Sequence, residues 1–291
     1  MSFAPADKAA LQWYLDHGVD AAVGDEPVDR YAAPVAVAAR AQPAEITSEM
    51  PQKAPEAVAP KAPQQSAQAA PLLGTSQVRA ETVKLAQAAS TLEELREAIE
   101  SFDGISLKKT ATNLVFSDGN PKADIMLIGE APGADEDRAG VPFAGESGHL
   151  LDKILACIGL SRGAEDAAQG VYISNILNWR PPGNRTPSPG EIEASLPFIE
   201  RHIQLAQPKI VIFCGGVAAK SLLGRSDGIS RLRKTWHNYK PQTAELQNDA
   251  TEIAGIATFH PAYLLRTPAQ KRAAWHDMVS VDKKRTELGL I

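Results

Sequence analysis

Short apolar runs rich in β-branched residues alternate with amphipathic stretches along the last two-thirds of the chain. The apolar runs have strand length and lie at 124–128, 171–177, 209–214 and 253–259. Apolar positions recur at helical spacing over 147–158, 189–204, 216–223 and 269–287. Strands that alternate with helices favour a mostly parallel sheet with right-handed crossovers and helices on both faces. We therefore predict an α/β fold whose ligands bind at the carboxyl ends of the strands.

The first third of the chain has a different pattern. Over residues 7–23, apolar side chains recur at helical spacing, which predicts an amphipathic helix too short to fold alone. It would dock either on this protein's own globular domain or on a protein partner, and both interpretations remain open. Residues 34–71 are dominated by Ala, Pro and Gln, a composition typical of a disordered tether.

The globular part begins with two predicted helices. Helical spacing resumes near Gln77, and Thr91 with Glu94 three residues later forms a capping box for a helix that runs to about Phe102. We therefore expect three segments along the chain: a helical segment at 1–33, a disordered Ala/Pro-rich linker at 34–75 and a single domain at 76–291.

Charge is distributed unevenly along the chain, whose formal net charge is −5. Residues 1–100 carry 8 Lys and Arg against 14 Asp and Glu, whereas residues 101–291 carry 22 against 21. The acidic excess therefore belongs to the N-terminal part. In the second part, basic residues cluster near 180–185, 231–234 and 266–272, which permits a local phosphate-binding face as well as ordinary solvated loops.

Cysteine usage and hydropathy narrow the class of protein. Cys157 and Cys214 are far apart in apolar surroundings, which predicts two buried thiols and neither a disulfide framework nor a metal site. No apolar run approaches the roughly 18 residues of a membrane span, and Asp7 and Asp16 interrupt any signal peptide. We expect a soluble, cytoplasmic, monomeric protein with no membrane contact.

Polar motifs follow the predicted strands. The first strand leads into GEAPGADED at 129–137, which lacks both the Lys-Ser/Thr pair of a P-loop and the glycine spacing of a dinucleotide site. Phe143 in the PFAG loop is either core or a stacking platform. Asn175 on the second apolar run satisfies its amide within the protein or on a ligand. His260, held by Pro261 and followed by Arg266, is either structural or part of a site.

These motifs together resemble the family 4 uracil-DNA glycosylases, from about residue 101 to near residue 281. The resemblance rests on GEAPGADED, PFAG, the Asn-bearing strand before RPPGNR, ISRLR at 229–233, HPAYLLR at 260–266 and PAQKRAAW at 268–275, in the family's order. It implies a three-layer α/β/α sandwich around a four-stranded, mostly parallel sheet, and an enzyme that removes uracil from DNA.

The chain departs from the family at the four cysteines that hold an iron–sulfur cluster. At those positions stand Phe102, Ile105, Trp179 and Ser195. We expect packed side chains to fill the space of the cluster, so that the protein uses neither a metal nor another cofactor. Nothing in hydrolysis of an N-glycosidic bond requires a redox centre.

The resemblance assigns roles in the base pocket. Phe143 would stack on uracil, and Asn175 would bond its O4 and N3 edge. His260 would donate to O2, where negative charge grows as the base leaves. Glu130 would position or polarise the attacking water, and backbone amides of the turn at Gly129 and Ala131 would set its geometry.

Contacts with the uracil-containing DNA partner are assigned in the same way. One of two leucines in HPAYLLR would fill the gap left by the flipped base, and arginines would hold phosphates. The assigned DNA-binding residues are Arg180, Arg185, Arg231, Arg233, Leu264, Leu265 and Arg266.

Three alternatives to a hydrolytic glycosylase remain. The chain could be a non-hydrolytic DNA-binding relative, or an interaction protein whose N-terminal helix and tether do the main work. The family's cross-linking branch uses a His in a loop insertion and a Gln in the first motif. This chain has Ala131 at that Gln position and no His between Gly133 and Glu146.

Overall fold

The computed structural model describes residues 75–248 and 250–291. The predicted amphipathic helix at 7–23 and the tether at 34–71 therefore lie outside the described residues. Within the described part, no helix is both long enough and apolar enough to cross a membrane.

A six-stranded sheet forms the centre of the domain. Its strands are β1 (Asp118–Gly119), β2 (Ile125–Gly129), β3 (Tyr172–Asn175), β4 (Ile210–Cys214), β5 (Trp236–Tyr239) and β6 (Ile253–Thr258). Their spatial order is β1-β3-β2-β4-β6-β5. The four predicted strands are the central four and all run parallel, whereas β1 and β5 pair antiparallel at the two edges. β1 has only two residues and β5 reads Trp-His-Asn-Tyr, so neither forms a β-branched apolar run and the pattern predicted only four strands.

Helices cover both faces of the sheet. In chain order they are α1 (Thr75–Ala88), α2 (Leu92–Ser101), α3 (Ala134–Ala139), α4 (Glu146–Ala156), α5 (Pro189–Ala206), α6 (Gly216–Leu223), α7 (Ile229–Leu232), α8 (Pro261–Arg266) and α9 (Lys271–Glu287). Short 3₁₀ turns lie at Ser106–Lys109, Pro182–Asn184, Ala244–Leu246 and Pro268–Gln270.

Successive residues of a strand point to opposite faces of the sheet, and they are buried in two separate cores. Met126 and Ile128 of β2 belong to one hydrophobic cluster, which includes side chains of α1, α2, α5 and α6. Ile125 and Leu127 belong to the other, with Leu151 of α4 and other side chains from α4 and α9. This division follows from the two-residue period of a strand, and it produces the predicted three-layer α/β/α sandwich.

Local sequence signals account for the helix ends. Thr91 caps α2, and its hydroxyl accepts a hydrogen bond from the Glu94 amide (3.1 Å). The Glu94 carboxylate accepts from the Ser90 amide (2.7 Å), one residue earlier than a strict capping box requires. The predicted helix at 269–287 begins instead at Lys271, after a 3₁₀ turn.

The two cysteines have different environments. Cys214 is buried at the end of β4, as predicted. The prediction for Cys157 is wrong, because its thiol is exposed where α4 ends. The apolar residues around Cys157 in the sequence belong to the buried side of α4, and the cap residue points away from it.

A fully buried histidine packs in the first core. The ring of His202 on α5 stacks on Phe116 with centroids 4.4 Å apart, and its Nε2 is hydrogen-bonded to the Tyr172 hydroxyl (2.9 Å). The Tyr172 hydroxyl also donates to Ser117 (2.9 Å). Complete burial lowers the pKa of His202 to about 3, so the imidazole is neutral in the folded protein.

His202 should make the free energy of unfolding depend on pH. The unfolded chain binds this proton near pH 6.5, whereas the folded protein does not, so stability is full above that pH and falls as the pH drops towards 3. Between about pH 6.5 and about pH 4.5 this group should lower the free energy of unfolding by about 2 kcal/mol. Urea unfolding of wild type and His202→Gln at both pH values measures it. Equal pH dependence of the two proteins would contradict the assignment.

Candidate active site

A cleft of about 280 Å³ opens at the carboxyl ends of the central strands. β2 ends at Gly129, which pairs in register with Asn175 at the end of β3. His260 follows β6 by two residues and caps α8. The cleft is lined by predicted site residues that lie far apart in sequence: Glu130, Ala131, Phe143, Asn175, Arg185, His260 and Arg266.

Gly129 allows two of these side chains to meet. A Cβ atom at this position would lie 2.3 Å from Oδ1 of Asn175 and 2.9 Å from the Phe143 ring. No side chain fits there without moving both neighbours. The absence of a side chain at Gly129 therefore leaves the space that Asn175 and Phe143 occupy.

Asn175 is buried, with its side chain on the wall of the cleft. Its amide borders the cleft. A buried amide normally finds hydrogen-bond partners, and a ligand in the cleft is placed to supply them.

His260 is held in one tautomer. The Ala262 amide donates to Nδ1 (3.2 Å), so this nitrogen is an acceptor and the ring proton is on Nε2. The ring stacks on Phe143, with centroids 5.2 Å apart and planes 21° apart. Burial and the positive charge of Arg266 lower the pKa of His260 to about 4. At neutral pH His260 therefore offers a neutral Nε2–H donor.

Glu130 lies where the backbone leaves β2. The Leu177 amide donates to its carbonyl oxygen (3.1 Å), and the Ile176 amide donates to that of Gly129 (3.0 Å), so the turn is fixed beyond the last strand residues. Burial raises the pKa of the Glu130 carboxyl. A carboxylate with a raised pKa accepts a proton more readily than a solvated one, which suits a general base.

Glu136 was not assigned a role from the sequence. Its carboxylate accepts hydrogen bonds from the Gly133 amide (3.0 Å) and from the Gly145 amide (3.4 Å). One side chain thus joins the turn after β2 to the loop that bears Phe143. The signal for it was present, because Glu136 follows Gly133 at capping-box spacing.

The predicted arginines near the cleft differ in their partners. Arg266, at the end of α8, is exposed and lines the cleft. Arg185 forms a bidentate pair with Glu191 (2.6 and 2.9 Å), which lowers the pKa of that carboxyl to about 2. Arg180 donates to Asn184 (2.7 Å). Arg266 is therefore the arginine here that is most available for a phosphate.

The two arginines of ISRLR differ in burial, because one lies on the surface and the other in the interior. Arg231 is 83% exposed and lies 3.4 Å from Asp227. Arg233 is only 12% exposed, and its guanidinium pairs with Asp277 (2.7 Å) while lying over the Phe259 ring. The predicted DNA contact of Arg233 is therefore corrected to a structural ion pair, because its charge is already neutralised inside the protein.

The leucines of HPAYLLR are separated in the same way. Leu264 is fully buried in a cluster with Phe259 and Ala274. Leu265 is 41% exposed. The prediction for Leu264 is therefore wrong, because it cannot reach DNA, and Leu265 is the leucine that remains for the role.

Four residues that replace cluster ligands in the sequence-based expectation are all buried: Phe102, Ile105, Trp179 and Ser195. Phe102 meets the ring of Phe198 edge to face (6.0 Å between centroids). Trp179 lies in the same core, and its Nε1 is buried without a hydrogen-bond partner among the described residues. Over residues 75–248 and 250–291, no three His, Cys, Asp or Glu side chains form a metal-binding group.

Because Arg231 is exposed and Arg233 is buried, replacing each with alanine should change the free energy of unfolding by different amounts. Arg233→Ala leaves the buried Asp277 without its partner, so the unfolding free energy should fall by about 3–5 kcal/mol. Arg231→Ala removes an exposed pair and should change it by less than about 1 kcal/mol. Urea denaturation of both variants measures the two effects. Similar losses in the two variants would contradict the structural role of Arg233.

Comparison with known proteins gives the family. The family model of the uracil DNA glycosylase superfamily matches residues 116–279. A type-4 uracil-DNA glycosylase of Pyrobaculum aerophilum is 36% identical over 178 residues, which cover 61% of this chain and 86% of that protein. A type-4 enzyme of Archaeoglobus fulgidus is 37% identical over 182 residues, covering 61% and 85%. A type-5 enzyme of Thermus thermophilus is 33% identical over 131 residues, covering 42% and 58%. With its α/β/α sandwich and the cleft at the strand ends, this chain belongs to the uracil DNA glycosylase superfamily.

Proposed function

We propose that this protein is a uracil-DNA glycosylase that begins base excision repair. The observation that carries the proposal is the single cleft in which Phe143, Asn175, His260 and Glu130 converge. Two relatives that align with this chain over 86% and 85% of their own length are named type-4 uracil-DNA glycosylases. We expect the enzyme to act in the cytoplasm as a monomer, since one chain supplies the whole cleft.

Recognition begins when uracil is flipped out of the DNA into the cleft. Phe143 stacks on the ring, and the Asn175 amide donates to O4 and accepts from N3–H. Cytosine presents a donor where uracil has O4 and an acceptor at N3, so the same amide orientation rejects it. Leu265 occupies the space that the flipped nucleotide leaves, and Arg266 holds a phosphate beside it.

Base release breaks the bond between C1′ of the sugar and N1 of uracil. The electron pair of that bond moves onto the base, where it is delocalised to O2, and His260 Nε2–H donates a hydrogen bond there. A neutral donor suits this charge because it stabilises the anion without first transferring its proton. Water adds to C1′ and its proton passes to Glu130, so the first products are an abasic site, the uracil anion and a protonated Glu130. Transfer of that proton through solvent to N1 then gives neutral uracil and restores the carboxylate.

We further infer that the protein contains no iron–sulfur cluster. Cluster ligation needs thiolates, and Phe102, Ile105, Trp179 and Ser195 supply none. All four side chains are buried, and those of Phe102, Ile105 and Trp179 belong to the first core, so the residues present do not fit the cluster. No step of base release depends on it.

The His260 assignment predicts a loss of rate without a loss of DNA binding. His260→Ala should lower single-turnover uracil release by a factor of about 10²–10³, the scale of one lost oxyanion donor. Arg266→Ala is the matched control from the same helix, and it should weaken DNA binding with little change in the saturated rate. Equal release by wild type and a folded, DNA-bound His260→Ala variant would contradict the assignment. No release by wild type would favour a non-hydrolytic relative.

The cluster inference predicts a colourless protein. Protein expressed with iron and sulfide available should contain iron and acid-labile sulfide far below one cluster per chain, and should lack visible absorption from a cluster. The activity of this preparation should be unchanged by chelators. Stoichiometric iron and sulfide in active protein would overturn the inference.

A further inference from the structure

The stacking residue Phe143 has an unusual backbone conformation. Its φ is +54°, in the left-handed region that bulky side chains rarely adopt. Its ring is nevertheless buried against His260. Non-glycine residues persist in this conformation when their surroundings hold them there, and such residues concentrate at functional sites.

Arg162, which does not line the cleft, makes hydrogen bonds that hold the backbone of Phe143 in this conformation. Its guanidinium donates from Nη1 to the Pro142 carbonyl oxygen (3.1 Å) and from Nη2 to that of Phe143 (3.3 Å). The same group forms ion pairs with Asp118 (2.8 Å) and Asp152 (2.8 Å). The side chain is 19% exposed, and it lies between the edge of the sheet and α4. The two carboxylates neutralise the charge of the guanidinium, and its Nη1 and Nη2 donors hold the two carbonyl groups.

Gly148 also lies against the Phe143 carbonyl group. A Cβ atom at Gly148 would lie 1.7 Å from the Phe143 carbonyl oxygen. The carbonyl therefore occupies the space of a missing side chain on α4 while Arg162 donates to it. Glu136 holds the next part of the loop through the Gly145 amide. The loop is constrained on both sides of Phe143.

We infer that Arg162 is a positioning residue for base recognition, which acts by holding the Pro142 and Phe143 carbonyl groups so that the Phe143 ring forms the wall of the base pocket. This inference rests on the proposed function, because the pocket is taken to bind uracil. Arg162 itself does not line the cleft. Its role depends on the planar fork of the guanidinium, which reaches two carbonyl groups and two carboxylates at once.

The test is Arg162→Lys, with Asp152→Asn as the matched control. Lysine keeps a positive charge between the carboxylates but cannot donate as a fork to both carbonyl groups. Asp152→Asn weakens an ion pair of Arg162 but leaves its bonds to the loop. For each protein we would measure thermal unfolding, single-turnover uracil release, inhibition by free uracil and binding to DNA that lacks uracil.

Arg162→Lys should lower the rate of uracil release and weaken inhibition by free uracil, each by about 10-fold to 100-fold, the scale of a misplacement of about 1 Å. Binding to DNA without uracil should stay within about twofold, since DNA contacts lie elsewhere. Asp152→Asn should leave release and uracil inhibition near wild type. Gly148→Ala, whose added methyl group would displace the same carbonyl group, should reproduce the Arg162→Lys result and serves if that variant does not fold.

Wild-type rate and uracil inhibition in a folded Arg162→Lys variant would overturn the inference. Losses that follow thermal stability equally in Arg162→Lys and Asp152→Asn would also overturn it, because they indicate a structural role only. If wild type neither releases uracil nor binds the free base, the proposed function fails first, and the positioning role fails with it.

Discussion

The geometry of the site depends on the absence of a side chain at Gly129. The register of β2 and β3 places Gly129 beside Asn175, and a Cβ there would meet both the Asn175 amide and the Phe143 ring. These two groups therefore approach the end of β2 more closely than any other residue would permit. Phe143 in turn stacks on His260, which arrives from β6. The missing side chain at Gly129 thus leaves room for Asn175 and Phe143, and the Phe143 ring joins them to His260, so three side chains from three parts of the chain meet in one cleft.

The chemistry then depends on how His260 is held. A single backbone amide, that of Ala262, occupies Nδ1 and leaves the proton on Nε2. Burial and Arg266 disfavour the imidazolium, so His260 presents a neutral Nε2–H donor to the cleft across the physiological range. Burial raises the pKa of the Glu130 carboxyl, so this group accepts a proton more readily than a solvated carboxylate does. The same desolvated cleft therefore contains a weak acid that donates and a carboxylate that accepts.

Much of this could be predicted from local sequence, and the errors have a common physical cause. The parallel strands follow from buried apolar runs, and the site residues follow from motifs at their ends. Whether Leu264 or Leu265 faces solvent depends on how α8 packs against Ala274 of α9, which no local pattern records. Arg233 finds its partner Asp277 far along the chain. Residues whose role is set by a distant neighbour, Arg162 among them, become visible only in the folded structure.

The most direct test of this account is the protonation state of His260 in the intact protein. Nitrogen-15 NMR of the imidazole, assigned among the six histidines with a His260→Gln variant, reports which ring nitrogen carries the proton. The account predicts a neutral ring with the proton on Nε2 and no titration from about pH 5.5 to about pH 8. Titration of His260 within that range, or a proton on Nδ1, would contradict it.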